Sequence, residues 1–226
     1  MAGKYYGVKR SDAFLAHYGI LGMKWGVIRS PEQLGHMKIP RNASHRNLEK
    51  FGKTPDTNVC YIMGTSGSGK STIAKNNSSK ANVIHLDSYF DNPNGPKSKE
   101  FNKYLRSVGF DPNSLYKKPA DRNDKQAWGK WWGNVDRLEQ EIDNFGKQQF
   151  KKKKRVICEG VQLMDETMHP NKGYFKSKPH VVLNTGSITS YLRGHKRDGA
   201  KIKLSDINNI RNNRKILKKL KTDIGY

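Results

Sequence analysis

Four short apolar runs frame the sequence: residues 58–63 (NVCYIM), 82–86 (NVIHL), 156–158 (VIC) and 180–183 (HVVL). Each is too short for a helix and is bounded by polar residues or Gly, so each reads as a buried strand. Between the runs the period changes. A helix is predicted from about Ser71. From about Asp124 to Lys152, Trp128, Trp131 or Trp132, Val135, Leu138, Ile142 and Phe145 share one helical face. That stripe is the mark of a packing face, with a wall over a ligand as the alternative use of three clustered Trp. Residues 187–197 and about 205–222 read as two more helices. In the last, Ile207, Ile210, Leu217, Leu220 and Ile224 line one side, while Arg211, Arg214, Lys215, Lys218, Lys219 and Lys221 cover the rest. Strands alternating with helices predict an α/β fold with a mainly parallel sheet and helices on both faces. Ligands in such sheets bind beyond the C-terminal strand ends. No fifth strand is evident after residue 198, and no internal repeat is visible.

Residues 1–53 have no sustained period. They are rich in Gly, Lys, Arg, Tyr and His, and Pro31 and Pro40 interrupt them. They read as an N-terminal extension, poorly ordered alone or docked on something else. The α/β domain is expected over 54–226. An insert at about 91–153 is marked at its start by Pro93, Gly95, Pro96, Pro112 and Pro119, and a basic helix closes the domain.

Composition adds a partner class. The 226 residues suffice for one α/β domain with a tail or insert, and the hydrophobic fraction of 34% implies much polar surface. The 43 basic and 20 acidic residues give a net charge of +23, which attracts nucleotides, nucleic acid or anionic membrane, or else serves solubility. The run Lys151, Lys152, Lys153, Lys154, Arg155 reads as a solvated helix end, with nucleic-acid contact as the other reading. Cys60 and Cys158 form no disulfide framework and no metal cluster; both are expected to be buried, reduced thiols in a reducing compartment. No apolar run approaches the roughly 20 residues of a membrane span. The longest apolar stretch near the N-terminus, 14–23, is broken by His17, Tyr18, Gly19 and Gly22, unlike a secretory signal. These points predict a cytoplasmic protein with no membrane partner.

The chemistry concentrates after the first strand. Gly64-Thr65-Ser66-Gly67-Ser68-Gly69-Lys70-Ser71, followed by Thr72, fits G-x-x-x-x-G-K-[ST]. Glycines let the backbone turn tightly and bring its N–H groups to phosphate oxygens. The helix that starts near Lys70 points its positive end the same way. Lys70 is placed to reach the β- and γ-phosphates, and the Ser71 hydroxyl to ligate Mg²⁺. A Gly/Ser turn can match this pattern by chance, but a strand before it and a helix after it favour the phosphate reading.

Two carboxylates follow later strands. Asp87 ends the second run, where it can orient or deprotonate an attacking hydroxyl, or merely cap a helix. Glu159 ends the third, where it can hold Mg²⁺, or sit in a turn. Arg193 and Arg197 share a helical face, with Lys196 nearby; they can cover a transferring phosphoryl group or form a solvated basic face. His85 and His195 read as packing or solvent-facing residues.

Together these residues resemble the P-loop nucleoside and nucleotide kinases, and look closest to uridine-kinase-like members. The carrying segments are the GTSGSGKST loop, Asp87-Ser88-Tyr89-Phe90, Cys158-Glu159-Gly160 and residues 191–198. Zeta-toxin-like and polynucleotide-5′-kinase-like enzymes share much the same skeleton. The resemblance spans about 57–200 and implies a P-loop NTPase three-layer sandwich that uses ATP and Mg²⁺, with Asp87 as base and an arginine-bearing lid. The composition of the insert is a departure, and the insert is where acceptor specificity would be set. Separately, residues 14–27 (FLAHYGILGMKWGV) resemble a short motif of tailed-phage and prophage proteins, often head-associated. That implies a phage-encoded protein in the host cytoplasm or the virion, docking a head protein through this segment.

The expectation is therefore phosphoryl transfer from ATP to a hydroxyl acceptor: a nucleoside, a nucleotide or a polynucleotide end. Two other classes stay open. One is a virion- or nucleic-acid-associated nucleotide-binding protein; the other is an NTP hydrolase coupled to assembly.

Overall fold

In the computed structural model, five strands form one sheet among the described residues: β1 (Ala43–Arg46), β2 (Val59–Gly64), β3 (Ala81–His85), β4 (Arg155–Glu159) and β5 (His180–Leu183). The described residues are 37–41, 43–116, 118–164, 174–186, 188–189, 191–193 and 204–224. The chain divides into two units, Met1–Lys38 and Ile39–Tyr226. All but the last two residues of the first lie outside the described set, and every described strand and helix belongs to the second.

The strand order is β1-β5-β2-β4-β3. β5, β2, β4 and β3 run parallel, and β1 pairs antiparallel with β5 at the edge. The four apolar runs fall on β2 to β5, because a strand buried on both faces is a nearly continuous apolar segment. β1 is a correction. It arises inside the stretch read as an extension to residue 53, and the unit that contains it begins at Ile39. Its sequence, Ala-Ser-His-Arg, is half-buried to exposed, so an edge strand of this kind leaves no hydrophobic signal.

Six α-helices with defined bounds and three short 3₁₀ turns complete the described elements, the α-helices being α1 (Lys70–Asn76), α2 (Asp87–Asp91), α3 (Lys99–Ser107), α4 (Lys125–Lys151), α5 (Tyr174–Ser177) and α6 (Leu204–Asp223). Residues 188–189 and 191–193 are also helical, within the segment expected to be a helix over 187–197. The Asp124 carboxylate starts α4 by accepting the Ala127 N–H at 2.8 Å. The expected stripe of α4 is its buried face: Trp131, Val135, Leu138, Ile142 and Phe145. Of the three clustered Trp, Trp131 is the buried one, packed edge-on to Phe90 with its indole N–H donating to Leu115 O, so it belongs to the core. Trp132 is exposed.

Alternation along the strands divides the core. Val59, Tyr61 and Met63 of β2 join Val156 and Cys158 of β4, the α4 stripe, and Leu217 and Leu220 of α6 in one cluster. The alternate set, Cys60, Ile62, Ile157 and Val181, is fully buried too, and α1 lies against β2, β3 and β4. Both faces of the sheet are thus covered. Gly146 permits the tightest approach of α4, since a side chain there would collide with Val59. Asn58, buried, ties the two ends of that contact by donating to Gly146 O at 2.8 Å and Lys154 O at 2.9 Å. Both thiols are buried in the central strands, and burial pushes each well above the usual thiol range. No helix among the described residues is long and apolar enough to cross a membrane.

Candidate functional site

The loop between β2 and α1 is held by its own lysine. Lys70 Nζ donates to the carbonyls of Gly64 (2.9 Å) and Thr65 (3.2 Å), and the residue is only 6% exposed. The ammonium thus lies inside the curve of residues 64–69. Gly69 has φ +98°, the left-handed region that favours Gly. At Gly64 space decides: a Cβ would come within 2.7 Å of Ser68 Oγ and 3.0 Å of the Leu183 carbonyl. The segment that follows β5 also steadies the loop, as Thr185 Oγ1 donates to Ser68 O at 3.2 Å. Thr65 and Ser68 are buried, whereas Ser66, Ser71 and Thr72 are exposed. Ser68 Oγ is buried without a hydrogen-bond partner.

Glu159 closes β4 beside this loop, because β4 is the neighbour of β2 and Glu159 pairs with Ile62. It is 3% exposed. Its Oε1 accepts Ser71 Oγ at 3.1 Å and His85 Nδ1 at 2.7 Å. Its Oε2 is buried and has no partner. An ionised carboxylate oxygen in that position is costly unless a donor or a cation meets it. Oxygen donors of this kind, a hydroxyl and a carboxylate, suit Mg²⁺, which binds through one or two carboxylates and substrate phosphates rather than an all-protein cage. The donors present at Ser71 and Glu159 are thus of the type that Mg²⁺ accepts, and these two residues would hold it.

Asp87 opens α2, and its Oδ1 accepts the Val161 N–H at 2.7 Å. Burial pushes its carboxyl above the usual carboxylate range; the Lys70 ammonium and the Val161 N–H pull it back, while Glu159 and Asp91 push it up further. That balance places Asp87 in the field of both Lys70 and Glu159. Gly160 makes the approach feasible, since a Cβ there would lie 2.8 Å from Asp87 Oδ1 and 2.9 Å from Leu86 Cβ. The same point is flanked at 3.3 Å by Gln162 Oε1, which is buried and unpartnered.

The fold thus brings together the loop 64–72, Asp87 and Glu159. Arg193 is exposed, with no bond to the loop among the described residues, and Arg197 lies outside them. Sequence reasoning missed two side chains. His85, expected to pack or face solvent, is bonded to Glu159; the cause is the β3–β4 register, which pairs His85 with Glu159. Gln162 lies in a single 3₁₀ turn, Gln162–Met164, and only its place three residues after Glu159 hinted at it.

Comparison with known proteins covers the chain unevenly. Residues 8–32 match a family of unknown function, DUF7211. No curated protein matches. The crystal structure of a gluconokinase from Sinorhizobium meliloti 1021 is similar over 75% of this chain and 92% of that one, at 14% identity and a TM-score of 0.37. Similarity at that level is too low to carry fold or chemistry from one to the other.

Proposed function

We infer that the chain is a phosphotransferase that moves the γ-phosphoryl group of ATP to a hydroxyl acceptor. The observation that carries this reading is the meeting of three sequence-distant segments at one sheet edge: Lys70 inside its glycine loop, Glu159 bonded to Ser71, and Asp87 accepting the Val161 N–H just past Glu159. In this reading residues 64–69 and Lys70 hold the phosphates, and Thr72 lines the same turn. Ser71 and Glu159 would hold Mg²⁺, which would supply neutralisation of the phosphate charge. Asp87 takes the acceptor's proton as the acceptor oxygen bonds to the γ-phosphorus; the bond from that phosphorus to the bridging oxygen breaks, and ADP leaves. A carboxyl raised by burial is the better base for that step. Gln162 Oε1, unpartnered beside Asp87, offers the acceptor a second contact. Arg193 and Arg197 are the candidates to cover the transferring group.

Transfer from labelled ATP with Mg²⁺ to nucleosides, nucleotides and 5′-hydroxyl oligonucleotides tests the reading, with Lys70→Ala and Asp87→Asn alongside. Transfer to one acceptor, lost in both variants, supports it. ATP binding without transfer to any acceptor removes it.

A second reading has one observation in its favour. α6 turns Arg211, Lys215, Lys218 and Lys219 outward while Leu217 and Leu220 are buried. A nucleotide-binding protein or NTP hydrolase docked on nucleic acid would use that face. Residues 14–27 are then the segment offered to a phage head protein.

A further inference from the structure

The two oxygens of Glu159 are unequal. Oε1 has two donors, and Oε2, equally buried, has none. The donors differ in kind. Ser71 sits on the exposed first turn of α1, and its hydroxyl can swing about one bond. His85 is fixed by the sheet. It stands opposite Glu159 in the β3–β4 register, its N–H donates to Ser98 Oγ at 2.9 Å, and its carbonyl accepts Ser88 Oγ at 2.6 Å. Its Nδ1–H reaches Oε1 at 2.7 Å, the shorter of the two bonds.

We propose that His85 is a positioning residue for the cation: by clamping Oε1 of Glu159 it fixes the carboxylate plane and keeps Oε2 turned to the divalent metal that accompanies the nucleotide. This rests on the reading above, in which Glu159 and Ser71 hold Mg²⁺. Carboxylates that ligate metals are themselves held by hydrogen bonds, and loss of such a partner commonly costs about 10–100-fold in metal affinity. Ser71 can offer its oxygen to the cation and its hydrogen to Oε1 at once, but its hydroxyl is a free rotor on an exposed turn, so the fixed donor is His85. His85 touches neither nucleotide nor acceptor in this scheme, and its effect is wholly on the geometry of Glu159.

The test uses Mn²⁺ as a paramagnetic probe. Its binding to the full chain with ATP is followed by electron paramagnetic resonance for wild type, His85→Ala, His85→Asn and Glu159→Gln. ATP binding in EDTA is measured alongside. His85→Ala is expected to weaken Mn²⁺ binding about 10-fold or more. His85→Asn, whose amide nitrogen can stand where Nδ1 stood, is expected to restore most of it. ATP affinity in EDTA should be the same in both His85 variants as in wild type. The proposal falls if His85→Ala binds Mn²⁺ as wild type does, if His85→Asn is no better than His85→Ala, or if metal-free ATP affinity drops in parallel. Should Glu159→Gln itself bind Mn²⁺ normally, the metal assignment to Glu159 fails; Mn²⁺ binding lost in Glu159→Gln but unchanged in His85→Ala removes His85 alone.

Discussion

Ser71 Oγ donates to Glu159 Oε1 across 3.1 Å, joining the first turn of α1 to the end of β4. The bond links two residues 88 positions apart, one just past the glycine loop and the other at the end of the strand beside it. It also makes Glu159 the most direct place to separate charge from shape. Glu159→Gln preserves volume and can still accept from Ser71 and His85, but removes the negative charge. Its Mg²⁺ requirement for transfer is expected to rise by more than the roughly 10–100-fold that loss of an outer hydrogen-bond partner produces. Rates measured across a Mg²⁺ series check this, with thermal unfolding as the control for fold.

Asp87 is expected to trade stability against chemistry. Its folded pKa lies above the ordinary value of 3.8, with burial as the largest cause. An acid of that kind binds its proton more tightly folded than unfolded. Its contribution to stability is therefore complete below 3.8 and is lost as pH rises through the folded value. Asp87→Asn can still accept the Val161 N–H and has no charge to bury. It should be at least as stable as wild type at neutral pH, with the gap narrowing in acid, while transfer falls roughly 10²–10⁴-fold. Urea unfolding at pH 4 and pH 7.5 decides: a variant less stable by the same amount at both would contradict the assignment.

Gly160→Ala should act on the same carboxylate through space. The added Cβ would stand 2.8 Å from Asp87 Oδ1 and 2.9 Å from Leu86 Cβ, closer than carbon tolerates. Overpacking of this sort costs about 1–3 kcal/mol. Denaturant midpoints report that cost, and acceptor KM is expected to rise while ATP affinity holds.

The outward face of α6 separates the two functional readings. Replacing Lys215, Lys218 and Lys219 by Gln removes three charges from exposed positions opposite Leu217 and Leu220. If nucleic acid lies along this face, the slope of log affinity against log salt should shrink by about 0.7 to 0.9 for each phosphate that these lysines no longer neutralise. An unchanged slope in anisotropy titrations with an oligonucleotide would exclude α6 as the binding face.

The strands that carry the site were legible because each is a short apolar run cut off by Gly, Asp or Glu. The loop was legible because its residues are contiguous. What the sequence hid is what depends on register. His85 reaches Glu159 only because β3 and β4 pair in one particular alignment, and nothing local in residues 81–86 dictates it. β1 was hidden for a different reason: an edge strand gains its stability from backbone pairing with β5, and its Ala-Ser-His-Arg side chains carry no apolar alternation. Gln162 was hidden because a polar residue in a short turn looks solvated until Gly160 and Asp87 are seen to close around it.

Cys60 and Cys158 lie within the two strands that end in Gly64 and Glu159, and neither has any exposed surface. A thiol so enclosed meets an alkylating reagent only when those strands part. The chain therefore carries its own clock for opening of the site's foundation. Any compound that binds only the closed form slows that clock by a factor of 1 + L/Kd, with L the free concentration and Kd the dissociation constant. Candidate nucleotides and other small ligands can thus be ranked by protection of two native cysteines, with no transfer assay needed.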